Sequence, residues 1–324
     1  MFDPTIRKQH VLKERASRLL KTSTYLIFVA IYNTSMSGSI MSILPSTCTV
    51  VVPDPGTKLH DVIDRWSDAL ISLPYAVITP SNTDDIRATV EYAAQKKLKV
   101  IPTGGGHAAH VPISDKTICL DMKRFNHITI DEEKAEVTFG GGCLAGLLHK
   151  TLAAKGYYTS VPNSNEVGMV GALLGGLNHP LGGVHGMGID MVRSITIIPF
   201  SSTDGEQLQQ ITLSKESQDE KLKLFNVLRG AGSGLGVITK ITLSIYRLAD
   251  LELEKGNQIW TRNLVFSSKA LSTAIDTYLS LQAKIVPRLS LVLGFMRAPP
   301  AAPQPGAPMV FMPGVPLSFT EKKK

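Results

Sequence analysis

The residues in this sequence best suited to chemistry sit in loops crowded with glycine. Thr103-Gly104-Gly105-Gly106-His107 sets an imidazole beside three consecutive glycines. Gly140–Gly142 form a second run, and eight glycines (168, 171, 175, 176, 182, 183, 186 and 188) crowd a third stretch. A loop glycine serves either a positive φ or the close approach of backbone to a ligand. A turn explains any one cluster. Three clusters, two of them directly after expected strands, favour a ligand, and successive backbone N–H groups in such loops form nests suited to a pyrophosphate.

The usual nucleotide signatures do not account for these loops. No Gly-Lys is followed by Ser or Thr, so there is no P-loop. Gly230–Gly236 is spaced GxGxGxG and runs into a β-alternating segment, where a dinucleotide fold of the Rossmann type requires a helix. His107 and His110 could be ordinary polar loop residues. They could also form a metal pair in a hydrolase, but Asp115 is the single nearby carboxylate, and no metal site is expected.

The elements around these loops follow from periodicity. Tyr75–Thr79 reads as a buried strand, Ser81 with Asp84 as a capping box, and Ile86, Val90, Ala93 and Ala94 as one face of a helix. Leu98–Pro102 is a second strand that empties into the 103–107 loop, a βαβ arrangement with its loop at the carboxyl end of the sheet. Thr117–Asp121 is a strand, His127–Asp131 with Ala135–Phe139 a hairpin, and the segment holding Leu144, Leu148 and Leu152 a helix. Tyr157–Val161, the hairpin Arg193–Phe200 with Gln209–Leu213, the helix Glu220–Leu228 and the strand Val237–Tyr246 complete this region. Beyond Arg247 come a strand at Gln258–Phe266, a helix at Lys269–Gln282, a strand at Arg288–Phe295 and a proline-rich linker at Ala298–Pro308. Two strands and a helix cannot cover both faces of a sheet, so this last unit reads as incomplete.

At 324 residues the chain is long enough for two domains, and 43% hydrophobic with 19% charged residues is globular composition. The net charge of +7 gathers at the ends, in Arg7–Lys21 and Lys322–Lys324, with no basic stripe between, so no nucleic-acid partner is expected. Cys48, Cys119 and Cys143 make no disulfide framework and no CxxC. The apolar run Tyr25–Ile31 is far short of the ~20 residues that span a bilayer, so no membrane partner is expected. As a signal-peptide core it would have an unusually long leader before it, so a cytoplasmic location is expected, with secretion the alternative.

Four segments taken in order, PYAVITPSNTDDIRATVEYAAQKKLKVIPTGGGH, VTFGGG, VGMVGALLGG and LRGAGSGLGVIT, resemble the FAD-binding domain of the vanillyl-alcohol oxidase and berberine-bridge-enzyme superfamily. The likeness runs from about Leu73 to Leu248. It implies an α+β, two-subdomain PCMH-type fold holding an extended FAD, followed by an incomplete α/β substrate domain. The expected organisation is a poorly ordered leader at 1–58, the FAD-binding domain at 59–250, and a partial substrate domain with a Pro-rich, basic tail at 251–324.

The resemblance also implies residue roles. Thr103, Gly104, Gly105, Gly106, His107 and Ala108 would wrap the pyrophosphate. Pro162, Ser164, Gly168, Gly171, Gly175 and Gly176 would line the flavin and ribityl chain, and Ile238 would bond adenine through its backbone. His107 matches the position that carries the flavin's 8α-methyl in many members. Ser164 stands where bicovalent members have cysteine, which excludes a second thioether. Val167 aligns with the residue thought to govern oxygen access. The implied activity is hydride transfer from the C–H of a small-molecule substrate to flavin, with oxygen as the acceptor. The runner-up is a truncated FAD-binding chain with little turnover. No catalytic base is identifiable beyond His179 and His185, which stand in the glycine-rich segment.

Overall fold

Residues 40–201, 207–251, 262–287, 289–297 and 308–316 are described by a computed structural model. The chain divides into two compact units, up to Arg124 and from Phe125 onward.

The first unit is a four-stranded sheet: β1 (Thr49–Val51), β2 (Ala76–Thr79), β3 (Lys99–Thr103) and β4 (Thr117–Asp121), in the order β1-β2-β4-β3. β2 and β3 run parallel to β4, and β1 is antiparallel at the edge. Helix α1 (Thr83–Lys96) is the crossover between β2 and β3, so β3 delivers the 103–107 loop as the sequence predicts. The cap falls one residue later than Ser81 and Asp84. Asn82 accepts the Asp85 N–H at 3.0 Å, and Asp85 accepts the Ser81 N–H at 2.7 Å. Asp85 is turned inward to these donors, whereas Asp84 faces solvent beside Arg87. Ala94 is exposed and Tyr92 takes the core position, its hydroxyl 2.8 Å from that of Tyr75.

The expected leader needs correction over residues 40–58; residues 1–39 lie outside the described residues. Residues 40–43 form a helical turn that buries Ile40 and Leu44, and β1 pairs with β2. The Thr47 hydroxyl donates to Asp85 at 2.6 Å, and Arg124 donates to the Thr47 carbonyl, Ser81 and Thr49. With a single helical turn and a three-residue strand, this segment is too short to show periodicity, and partners remote in sequence hold it in place.

The second unit is built on an antiparallel sheet in the order β5-β6-β10-β8-β9: β5 (Ile128–Asp131), β6 (Glu136–Gly140), β8 (Val192–Pro199), β9 (Ile211–Ser214) and β10 (Gly236–Ser244). Its core joins Phe139, Ile195, Ile197, Ile241 and Leu243 from the strands to Leu148 and Leu152 of helix α2 (Ala145–Ala153), Met169 and Leu173 of helix α3 (Met169–Leu174), and Phe225 of a further helix at Asp219–Ala231. The expected strand Tyr157–Val161 shortens to β7 (Tyr157–Tyr158), paired with β11 (Tyr246–Arg247). Between α3 and β8, Gly182–His185 makes the single turn α4, so the helix at Asp219–Ala231 is α5.

The last part has more sheet than the sequence suggests. β12 (Arg262–Ser267), β13 (Leu289–Leu291) and β14 (Gly294–Arg297) all pair with β15 (Pro308–Pro316), and helix α6 (Leu271–Gln282) joins β12 to β13. The predicted strand Arg288–Phe295 is thus two short ones, and the chain beyond the linker returns as the strand that the others pair with. Residues 258–261 of the predicted strand Gln258–Phe266, and 298–307 of the linker, lie outside the described residues. No helix among the described residues is long and apolar enough to cross a membrane.

Candidate functional site

In the first unit, Thr103 ends β3 and its carbonyl accepts the Met122 N–H at 3.0 Å, so the strand stops as the glycine loop begins. Gly104 is exposed, Gly105 and His107 half-buried, and Ala108 exposed. Gly106 is buried at φ +71°, and a Cβ there would stand 2.6 Å from the Asp64 carbonyl oxygen. Glycine is therefore required twice at this position, by dihedral and by space.

The segment that presses against this loop was missed by sequence reasoning. The Trp66 N–H donates to the Gly106 carbonyl at 3.3 Å, and Arg65 Nη2 donates to the Ala108 carbonyl at 2.7 Å. Arg65 is 8% exposed, and its Nε is buried with no hydrogen-bond partner among the described residues. Burial lowers the Arg65 pKa from its ordinary value. The Trp66 indole stacks on the His107 imidazole, with ring centroids 6.2 Å apart and planes 21° from parallel. The one available signal was a tryptophan in a stretch without periodicity.

In the second unit, Pro162 and Val167 are half-buried and Ser164 is exposed. The Val167 carbonyl accepts the Ala145 N–H at 2.9 Å, and Gly168 is the N-cap of α3. Gly171, inside α3, is exposed, and a Cβ there would meet no atom within 4 Å among the described residues. A Cβ on Gly175 would make only ordinary contact, at 3.5 Å. Gly176 needs its φ of +94°. Neither packing nor dihedral calls for glycine at Gly171, although glycine inside a helix costs about 1 kcal/mol against alanine. A bare helix face kept at that cost fits a group laid against the backbone, as an extended dinucleotide requires.

Other glycines are spent on the fold. The N–H groups of Gly140, Gly141 and Gly142 bond the carbonyls of His127, Thr239 and Phe125, so this cluster is a turn and not the anion nest its spacing suggested. Gly183 and Gly236 sit too close to the Pro287 and Ile198 carbonyls for any side chain. Ile238 is buried in β10, one side of which pairs with β6 only from Lys240 onward, so Ile238 lies past the last rung on that side.

The two histidines proposed as bases differ. The Leu181 N–H points at His179 Nδ1 (3.2 Å), which assigns the ring proton to Nε2, where the Gly186 carbonyl (3.0 Å) and Ser160 hydroxyl (2.7 Å) lie. Both nitrogens are committed to a buried turn, so His179 is not free to receive a substrate proton. His185 Nε2 lies 2.8 Å from the Tyr158 hydroxyl, and its ring stacks on Tyr246 at 3.9 Å. Burial lowers the pKa of both imidazoles, and His179 adds to the effect on His185.

A cleft of about 380 Å³ lies between Asn178–Pro180 and the apolar run Ile285–Pro287. No group of three metal-ligating side chains occurs among the described residues. Burial pushes the Cys119 thiol up to about 11 and that of Cys143 up to about 12, which leaves both unreactive near neutrality.

Residues 74–207 match the family described as the FAD binding domain. An FAD-linked oxidoreductase of Aspergillus fumigatus (hasG) is 31% identical over 197 residues, 60% of this chain and 41% of that protein. Another from Aspergillus niger (azaL) is 28% identical over 244 residues, 75% of this chain and 49% of that one. The chain thus spans less than half the length of these relatives. Among solved structures, 6-hydroxy-D-nicotine oxidase from Arthrobacter nicotinovorans superposes with a TM-score of 0.70 at 21% identity, covering 84% of this chain and 56% of that one. Berberine bridge enzyme from Eschscholzia californica gives 0.66 at 16% identity, covering 91% and 55%.

Proposed function

We propose that the chain holds FAD for the oxidation of a small molecule, since its residues 74–207 match the FAD binding domain family and it is similar to FAD-linked oxidoreductases. The bare face of α3 at Gly171, which no atom of the described residues fills, is the observation that carries this reading. When bound, the flavin would supply a two-electron acceptor for hydride from a substrate C–H and pass the electrons on to oxygen.

The chain's own share is binding and orientation. Thr103, Gly104, Gly105, Gly106 and Ala108 offer backbone to the pyrophosphate. Pro162, Ser164, Val167, Gly168, Gly171, Gly175 and Gly176 line the flavin and ribityl chain, and Ile238 serves adenine through its backbone past the β6 ladder. His107 carries the flavin covalently at its 8α position. The FAD-binding domain extends to residue 250 and begins near residue 40, earlier than residue 59, because the segment containing β1 is part of the first sheet. Residues 251–324 belong to a substrate domain. His185, bonded to Tyr158, is the remaining candidate for proton transfer.

Purified protein should be yellow, and its flavin should stay with the chain after acid precipitation. His107→Ala should release flavin into the acid supernatant while keeping part of the non-covalent binding. Colourless protein after expression with ample riboflavin would refute FAD binding; yellow protein whose flavin washes off in acid would refute the attachment alone.

A further inference from the structure

We propose that Trp66 is a positioning residue for His107, fixing the plane of the imidazole so that one ring nitrogen is presented for bonding to the flavin. The proposal rests on the reading of His107 as the attachment residue. Attachment would join an imidazole nitrogen to the flavin's 8α carbon. One proton leaves the 8α-methyl and one leaves the imidazole, and two electrons pass through the flavin to oxygen, which takes both protons to become hydrogen peroxide. Nothing in that balance selects a ring orientation. The protein must do so, because a small misplacement of reacting atoms costs orders of magnitude in rate.

His107 follows three glycines, and glycine backbones restrain a neighbouring side chain poorly. No hydrogen bond to its ring is found among the described contacts that would set its plane. The restraint is aromatic. Trp66 is 71% exposed, a large apolar surface left in water, and its described ring contact is with His107 at 21° between planes. Stacking at such a separation is enough to favour one ring orientation several-fold.

The indole can serve as a fixed platform because the backbone beneath it is tied down. Trp66 N–H bonds Gly106, Gly106 packs onto Asp64, and the neighbouring Arg65 is buried with its guanidinium on the Ala108 carbonyl. Three successive residues thus grip the three that end the loop. The bonds to Gly106 and Ala108 set where the loop runs, and the indole sets how the ring on His107 is turned.

The test compares the full chain with Trp66→Ala, Trp66→Phe and His107→Ala. Two readouts are taken: total bound flavin, and the fraction that survives acid precipitation at a fixed time. Trp66→Ala should keep total flavin within about twofold while the acid-stable fraction forms on the order of tenfold more slowly, and Trp66→Phe should restore most of the rate. Equal loss of total and acid-stable flavin, or an unchanged acid-stable fraction, would overturn the proposal. A second measurement needs no flavin chemistry. In protein expressed without riboflavin and labelled at histidine, the His107 ring proton, identified by its absence in His107→Ala, should show a ring-current shift that Trp66→Ala removes. If wild-type flavin washes off in acid, the attachment reading fails, yet this spectrum still decides whether Trp66 orients His107.

Discussion

Gly171 and Gly106 are the same residue type kept for opposite reasons, and alanine at each should separate them. Gly171→Ala fills open space inside α3 and gains helix propensity, so the flavin-free protein should be unchanged or up to about 1 kcal/mol more stable. Its FAD affinity should fall, because the new methyl occupies the ligand's side. Gly106→Ala places a side chain at φ +71° and against Asp64, and should cost about 1–3 kcal/mol even without flavin. Thermal melts of both flavin-free variants beside flavin titrations give the comparison; a destabilised Gly171→Ala with normal FAD affinity would remove the main support for the binding face. His179 carries a pH dependence. Its folded pKa lies below the ordinary value of about 6.5, so the neutral form is favoured by folding. The stability it contributes is complete above about pH 6.5 and is lost as pH falls through the folded value. His179→Leu should destabilise the fold at pH 7 by about 1–3 kcal/mol for the stranded Leu181 N–H and Gly186 carbonyl, seen as a lower melting midpoint, and should flatten the decline toward pH 5. An unchanged slope would place the titration elsewhere.

The glycine runs were visible as text, but their purposes were not. Spacing alone could not separate Gly140–Gly142, whose N–H groups close a turn on His127, Thr239 and Phe125, from Gly171, which faces open space. At the level of elements, α1 was legible from its helical period and β2, β3 and β4 from short apolar or β-branched runs bounded by turn residues, whereas the cap of α1 was read one residue early, at Ser81 in place of Asn82. The segment at 40–51 was not, because its order comes from Arg124, Ser81 and Asp85, far along the chain. β15 hid behind Pro308, Pro313 and Pro316, which argue against any strand with neighbours on both sides, since proline cannot donate to a ladder. The first of these misses yields a prediction. A chain beginning at Pro53 lacks β1 and the buried Ile40 and Leu44, and should melt several degrees lower with weakened FAD retention. A shortened chain with unchanged melting and flavin content would show that β1 is dispensable.

On the scale of the whole molecule, holding a flavin and turning over a substrate are separate achievements. The loops proposed to hold FAD lie within residues 103–108, 162–176 and 236–239. Oxidation needs more: a proton acceptor in reach of the substrate and a cover that excludes water, which together contribute orders of magnitude in rate. Of the two histidines in the glycine-rich segment, His179 has both nitrogens engaged and His185 shares its Nε2 with Tyr158. Val265 of β12, Phe295 of β14, Leu279 of α6 and Val286 ahead of β13 are at least half exposed, so this part offers the flavin no closed apolar cover among the described residues. The 324-residue chain should therefore bind FAD, and flavin reduced with dithionite should reoxidise in air, while alcohols, sugars and amines under anaerobic conditions should bleach it slowly or not at all. Rapid bleaching by one of these, with turnover near the ~10 per second typical of enzymes, would show that the base lies within these residues. His185→Phe would then be the first variant to measure: loss of substrate bleaching with air reoxidation intact would assign the proton transfer to His185, and unchanged bleaching would exclude it.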